Sequence, residues 1–216
     1  MKAAGLKEVS PAAAAEDAAP GRREAIITAA ARLFSARGFE ATTIRDIATA
    51  AGIIGGSVYY HFASKEEIFL AVHSTGVESM SVAVRGAIRG ITNPWDKLEA
   101  AAVAHCEALL STKELPLLVS PHFAYSIGDL AGELTAQRDT YEKIFSDIIN
   151  NLDLPRRINR KLFRLHFLGG LNWAVTWYRP GGSLKPSEIG RQLVNSFRCC
   201  SVKDGAMVLS KLNGSK

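Results

Sequence analysis

The stretch that decides the fold is residues 43–62, TIRDIATAAGIIGGSVYYHF. Thr43 and Asp46 have the spacing of a capping box, in which each side chain satisfies a backbone N–H at the start of a helix. Apolar residues then recur at helical spacing, and Gly52 suits the left-handed residue that ends a helix. Because a second helix follows at once, the segment predicts a helix-turn-helix, whose second helix can lie in the major groove of DNA.

The flanking sequence predicts a helix on each side of this motif. Upstream, an apolar stripe with helical spacing covers residues 26–34 and stops before Gly38. Downstream, Ser64 and Glu67 form a second capping box that opens a long helix. Alternating apolar patterns are scarce, so we expect an all-α chain with helices over residues 22–37, 43–51, 54–60, 64–89, 94–110, 122–151, 155–178 and 186–202.

The run from about residue 22 to 70 resembles the DNA-binding domain of the TetR family of bacterial repressors. The matching sequences are AARLF at 30–34, RGF at 37–39, TTIRDIA at 42–48, AG at 51–52 and GSVYYHFASK at 56–65. The resemblance implies an N-terminal three-helix helix-turn-helix domain and a C-terminal helical domain for ligand binding and dimerisation. We therefore divide the chain into a disordered arm (1–21), a DNA-binding domain (22–66) and a ligand-binding and dimerisation domain (67–216).

Several residues of the motif have side chains or backbone groups suited to DNA. Arg45 can bond guanine bidentately, although a solvated helix face is the alternative. Glycines at the start of the third helix let backbone N–H groups approach phosphate, and Lys65 stands where a helix N-terminus also favours an anion. Relatives often carry a small hydroxyl residue and then lysine or proline where this chain has Ile54 and Gly55. The predicted DNA contacts are Thr43, Arg45, Gly55, Gly56, Ser57, Tyr59, Tyr60, His61 and Lys65.

Ring packing in the small three-helix core is the alternative for each aromatic residue of the third helix. We expect Val58 and Phe62 to pack inside and Tyr60 to face outward. The N-terminal arm is either a solvated tail or a carrier of Arg22 and Arg23 toward DNA.

A second resemblance lies in the C-terminal half. QRDTYEKIF at 137–145, LGGLNW at 168–173 and WYRPGG at 177–182 are similar to a TetR branch that regulates steroid and fatty-acid catabolism. That similarity implies an acyl-coenzyme A thioester as effector. Arg157, Arg160 and Arg164 recur at positions i, i+3 and i+7 near the start of a predicted helix. This spacing indicates an anion-binding site, and a solvated basic face is the alternative. The ligand candidates are His105, Phe123, Tyr125, Arg138, Tyr141, Arg157, Arg160, Arg164, Trp173 and Trp177.

The last two predicted helices are the expected dimer elements, as the family resemblance implies. Two DNA-binding domains related by two-fold symmetry bind a palindrome in double-stranded DNA. Apolar stripes on these helices offer an interface, although some of these residues must face the subunit core. The candidates are Leu168, Gly169, Gly170, Leu171, Ala174, Ile189, Leu193 and Phe197.

Composition limits the remaining classes of function. The formal net charge of +5 suits a polyanionic partner, but the basic excess lies in residues 154–216, outside the motif. No apolar run has bilayer-spanning length, so we expect no membrane segment. The cysteine usage predicts a location in the reducing cytoplasm. The three cysteines show no disulfide or metal-ligand spacing, and buried inert thiols are the expectation. We expect no cofactor, no metal and no catalysis; an acyl-CoA-handling enzyme without a recognisable catalytic motif is the alternative.

Overall fold

The computed structural model describes residues 20–111 and 130–200, and every regular element in these ranges is helical. The α-helices are α1 (Pro20–Arg37), α2 (Ile44–Ala51), α3 (Lys65–Ala87), α4 (Pro94–Ser111), α5 (Ala131–Asn150), α6 (Arg160–Trp177) and α7 (Pro186–Cys200), with a 3₁₀ helix at Gly55–Tyr60. The predicted all-α fold is confirmed. The predicted arm up to residue 19 and the start of the predicted helix over 122–151 lie outside the described residues.

Two compact units divide the described chain, and the division falls within α3. The first unit holds the residues up to Thr75, and the second begins at Gly76. Residues 130–134 group with the first unit. The boundary that we expected between residues 66 and 67 falls near the start of the same helix. No helix of the described ranges is long and apolar enough to cross a bilayer.

Three phenylalanines form the centre of the first unit. Phe34 of α1, Phe39 after it and Phe69 of α3 lie with their ring centroids 5.4–5.5 Å apart. Val58 and Phe62 are 0% and 1% exposed, as their predicted core role requires. The 3₁₀ helix is therefore anchored through its inner side, and its outer side is left to solvent.

The predicted helix starts are confirmed by their hydrogen bonds. The amide of Asp46 donates to Thr43 Oγ1 at 3.2 Å, and the amide of Thr43 donates to Asp46 Oδ2 at 3.0 Å. At α3 the amide of Glu67 donates to Ser64 Oγ at 3.1 Å, while the Glu67 carboxylate accepts from the amide of Ala63 at 2.6 Å. Gly52 ends α2 in the left-handed region with φ 71°.

The core of the second unit is a continuous apolar cluster contributed by α3 to α7. Its tightest helix contact lies where α7 crosses α4. A Cβ atom on Gly190 would stand 2.6 Å from the backbone oxygen of Ala102 and 2.8 Å from the amide nitrogen of Val103. The absence of a side chain at Gly190 therefore sets how closely these two helices approach.

Two predicted helices differ from the structure. The third helix is a 3₁₀ helix of six residues rather than an α-helix, since two of its residues are glycines and Ile54 at its N-cap makes no side-chain cap. The helix expected from Pro155 begins instead at Arg160, because Asn159 is its N-cap and its side chain accepts from the amide of Leu162 at 3.1 Å. Asparagine is a preferred N-cap, so the sequence did carry that signal.

Candidate nucleic-acid interface and ligand domain

Helix α2 is fixed at its start so that Arg45 faces solvent. Asp46, the next residue, pairs with Arg37 of α1 at 2.7 Å. Hydrogen bonds from Thr43, and then the Arg37 guanidinium, hold the pKa of the Asp46 carboxyl below its usual value. Arg45 is exposed, and its guanidinium has no partner among the described residues. The arginine is thus available to a ligand outside the chain.

The 3₁₀ helix exposes its large side chains. Tyr59 and Tyr60 are 59% and 65% exposed, and Ile54, directly before the helix, is 65% exposed. The outward position of Tyr60 agrees with the expectation from the sequence. Burying such rings and this aliphatic chain against a partner removes a large apolar area from water.

The glycines of this segment are not required by the fold. Neither Gly55 nor Gly56 has a positive φ, and a Cβ atom on either would meet nothing within 4 Å. One predicted DNA contact, Ser57, is a buried residue. Its side chain is 5% exposed and its amide donates to the carbonyl of Ile54 at 2.9 Å, because it lies on the inner side of the helix beside Val58.

Two other predicted contacts are partly engaged inside the first unit. The Lys65 ammonium donates to the carbonyl of Phe39 at 2.9 Å and lies 4.1 Å from the centroid of that ring. An ammonium has three donors, so two remain for a phosphate. His61 is half-buried, and Thr43 is exposed. Arg23 stacks over the Phe62 ring at 4.8 Å, which places it on α1 rather than in a preceding arm.

In the second unit the structure brings two of the ligand candidates together. His105 Nδ1 and the Tyr141 hydroxyl lie 2.7 Å apart, and both residues are buried. Burial lowers the pKa of His105 to about 4, so the ring is neutral near pH 7. Phe123 and Tyr125, which we expected in the same pocket, lie outside the described residues.

The expected arginine stripe does not form a single anion-binding face. Arg157 lies before α6, in the turn that ends at Asn159. Arg160 donates to the carbonyl of Ile149 at the end of α5 and to that of Leu152 in the turn after it. Arg164 pairs with Glu142, which also lies 3.4 Å from Arg138. The three arginines do not form the predicted helical stripe, because Arg157 precedes α6 and the other two are bound to groups of α5 and of the turn after it. Their role in ligand binding stays a prediction.

The apolar residues expected at the dimer face divide between core and surface. Leu168, Leu171 and Ala174 are buried in the core of their own unit. Gly170 contacts Leu193 of the same chain, since a Cβ there would lie 3.2 Å from a Leu193 methyl carbon. The exposed apolar face of α6 carries other side chains, which are Leu162, Leu165, Trp173 and Trp177.

Comparison with known proteins agrees with this architecture. Residues 26–72 match the family model for bacterial regulatory proteins of the tetR family. Residues 92–198 match the tetracyclin repressor-like C-terminal domain. The chain belongs to the TetR family. It is therefore a helix-turn-helix transcriptional regulator, with its DNA-binding elements in the first unit.

Named relatives of this TetR-family chain include transcriptional repressors of known structure. It is 30% identical to the transcriptional repressor KstR2 of Mycobacterium tuberculosis, over 79% of this chain and 88% of that protein. The solved structure of that KstR2 has a TM-score of 0.69 at 26% identity, covering 86% of this chain and 97% of the other. A crystal structure of AibR in complex with isovaleryl coenzyme A and operator DNA has a TM-score of 0.71 at 25% identity, covering 81% and 97%.

A cleft in the ligand unit was not foreseen from the sequence. It has a volume of about 470 Å³ and lies between the end of α3, the start of α4 and the end of α5. Arg85 and Lys97 place cations beside an apolar floor that includes Ile144 and Ile148. None of the ligand candidates from the sequence lines it.

The cysteines differ from one another. Cys106 is fully buried, and burial raises the pKa of its thiol to about 12, so it agrees with the expectation of an inert core residue. Cys199 is exposed and free, contrary to that expectation, because it lies on the outer side of α7.

Proposed function

We propose that this chain is a homodimeric, ligand-responsive transcriptional repressor that binds a palindromic operator and is released by an acyl-coenzyme A thioester. The observation that carries the DNA part is the outward surface of the first unit. Arg45 on the capped helix α2 is exposed, and Tyr59 and Tyr60 of the 3₁₀ helix are mostly exposed. The named relatives support the repressor role, since KstR2 is a repressor and AibR has been crystallised with operator DNA.

The DNA contacts are tested by single alanine substitutions. Arg45→Ala should weaken operator binding by about 1–3 kcal/mol if the guanidinium reads a guanine, and Tyr60→Ala should weaken it through the phosphate backbone. Arg89→Ala, an exposed arginine of the second unit, is the matched control. Gel-shift titrations on a duplex that the wild-type protein selects from a random library would measure all three. Equal affinities for Arg45→Ala and Arg89→Ala would count against the assignment.

The dimer proposal uses the exposed face of α6. Trp173 and Trp177 are 66% and 46% exposed, and they share a helix face with Leu162, Leu165 and Gly169. A second copy that covers this face would bury rings that are otherwise in water. We therefore assign the two tryptophans to the interface. Trp173→Glu should convert the dimer to a monomer in native mass spectrometry. Asp139→Lys, a charge reversal at an exposed residue of α5, should leave the protein dimeric.

The effector proposal rests on the family branch and on the buried polar pair. AibR binds isovaleryl coenzyme A in its crystal structure, and this chain shares its fold. The buried pair of His105 and Tyr141 lies in a unit with a large apolar core, and a few polar groups among apolar side chains are typical of a site for an acyl chain. Release of DNA needs a difference in effector affinity of about 1–3 kcal/mol between the two conformations.

Isothermal calorimetry shows which part of the effector is bound and which residues of the chain bind it. Isovaleryl coenzyme A, free coenzyme A and isovalerate are the probes. Arg157→Glu removes an arginine that has no partner among the described residues, and Arg156→Glu is its matched control. Loss of thioester binding in Arg157→Glu alone would locate the anion there. Loss in Lys97→Glu alone would move the effector to the cleft, and absence of heat for every probe would refute an acyl-CoA effector.

We also propose that the chain acts by binding rather than by catalysis, in the cytoplasm with the bacterial DNA. Within the described ranges no cluster of histidine, cysteine and acidic side chains has the arrangement of a metal site. The Cys106 thiol is protonated at neutral pH, so it is a poor nucleophile. Hydrolysis of isovaleryl coenzyme A by the purified protein, followed by release of free thiol, would overturn this part.

A further inference from the structure

We propose that Ile54 reads the C5-methyl group of a thymine in the major groove. The inference rests on the proposed DNA-binding function and assigns one determinant of its specificity. Within the described part of the first unit, the large apolar side chains that are mostly exposed are Ile54, Tyr59 and Tyr60. All three belong to the recognition segment, residues 54–60.

The fold covers only a minor part of Ile54. Ile54 is the N-cap of the 3₁₀ helix with φ −73° and ψ 137°, a position where a hydroxyl or amide side chain would normally accept a backbone N–H. Its side chain makes no cap, and its carbonyl alone bonds the helix through the amide of Ser57. A branched aliphatic chain that is 65% exposed at such a position is unfavourable in water.

The uncharged composition of the recognition segment favours an apolar group of the bases as the contact of Ile54. Residues 51–62 contain no lysine, arginine, aspartate or glutamate. The segment therefore lacks the cations that bond guanine bidentately and the carboxylates that accept from the cytosine amino group. In the proposed function the guanine contact belongs to Arg45 of α2. An aliphatic side chain at the leading end of the helix that enters the groove complements the one apolar feature on the edges of the bases, the thymine methyl group.

The neighbouring glycines make this approach sterically possible. Gly55 and Gly56 follow Ile54 directly, and neither is required by a positive φ or by a close contact. Without their side chains, the backbone of the segment can come near the base edges. Ile54 then reaches the groove floor with its methyl groups rather than being held away by its neighbours.

Deoxyuridine substitution tests the proposal, because uracil is thymine without the methyl group. The probe is a duplex selected from a random library by the purified full chain, with each dT replaced singly by dU. We expect one dT in each half-site whose replacement weakens wild-type binding by about 3- to 5-fold, the loss expected for one buried methyl group. Ile54→Ala should bind the original duplex with the same deficit and should not respond to that replacement. Val82→Ala, an exposed aliphatic residue of the second unit, should respond as the wild type does.

The outcomes distinguish a failure of the DNA-binding function from a failure of the role assigned to Ile54. If the wild type selects no duplex, the DNA-binding function fails and this inference fails with it. If the wild type binds but Ile54→Ala shows the same response to every dU as the wild type, Ile54 does not read a methyl group. Unchanged affinity of Ile54→Ala on the original duplex would also overturn the inference. Since Ile54 is exposed and makes no cap, an unaltered thermal melting curve should accompany each result.

Discussion

The crossing of α4 and α7 allows a stability prediction with its own internal controls. A Cβ atom on Gly190 would lie 2.6 Å from the Ala102 oxygen, while ordinary contact begins near 3.4 Å. Gly190→Ala therefore requires the two helices to separate by roughly 0.8 Å, the difference between these distances. The neighbour is backbone and cannot rotate away, so the helix pair itself must shift.

The expected magnitude follows from two opposing terms. Overpacking in a core costs about 1–3 kcal/mol, and rigid backbone on both sides favours the upper end. Alanine gains about 1 kcal/mol over glycine in a helix interior. We expect a net destabilisation of about 2 kcal/mol, or a melting temperature lower by roughly 4–8 °C for a chain of this size.

Gly86 of α3 and Gly170 of α6 serve as controls. Gly86 is exposed with nothing within 4 Å of a Cβ, so Gly86→Ala should raise the melting temperature by up to roughly 2–4 °C. Gly170→Ala would meet only the end of the Leu193 side chain at 3.2 Å, which can rotate, so little change is expected. Calorimetric melting at one fixed protein concentration compares all three, because dimerisation makes the melting temperature depend on concentration. A melting temperature for Gly190→Ala at or above that of Gly86→Ala would refute the close crossing.

Three further predictions concern the buried polar pair and the recognition segment. Since burial lowers the pKa of His105 from 6.5 to about 4, the unfolded chain binds the proton more readily between these values. Stability should fall by about 2 kcal/mol between pH 7 and pH 5 in urea titrations, and a His105→Gln variant should lose this part of the slope. Tyr141→Phe leaves a buried ring nitrogen without its 2.7 Å partner and should cost about 1–3 kcal/mol at pH 7; an unchanged urea midpoint would contradict the bond. Gly55→Ala and Gly56→Ala should raise thermal stability by up to about 1 kcal/mol yet weaken operator binding in gel shifts, and a gain or no change in affinity would show that DNA does not approach this backbone.

The parts of the fold that the sequence predicted are those fixed by local interactions. Helix starts at Thr43, Ser64 and Asn93 follow from side chains that bond amides two to four residues away. The end of α2 follows from the left-handed Gly52. Such features involve few residues in a short segment, so a pattern of residue types is sufficient to identify them.

The parts that the sequence missed depend on contacts between distant segments. The arginine stripe looked like an anion site because its spacing is local, whereas the Glu142 partner of Arg164 lies 22 residues earlier. The role of Gly190 depends on Ala102, in a helix on the far side of α5 and α6 in the sequence. The residue type at either position does not identify the partner. The sequence therefore predicted the fold class of the ligand domain but not its side-chain contacts.

The distribution of charge explains why affinity and specificity have separate sources in the proposed DNA-binding surface. Attraction to the phosphates needs cations, and the exposed arginines in the described part of the first unit lie on α1 and α2, including Arg23, Arg32 and Arg45. The recognition segment itself carries none, so its contribution must come from shape, apolar contact and neutral hydrogen bonds. A segment without charge gains little Coulombic attraction from the phosphates. Its tyrosine hydroxyls can still bond phosphate oxygens and position the segment, whereas the Ile54 side chain is favoured only where the base edges fit it. In the proposed function the segment therefore reads sequence, while the flanking helices supply the attraction that brings it to any duplex.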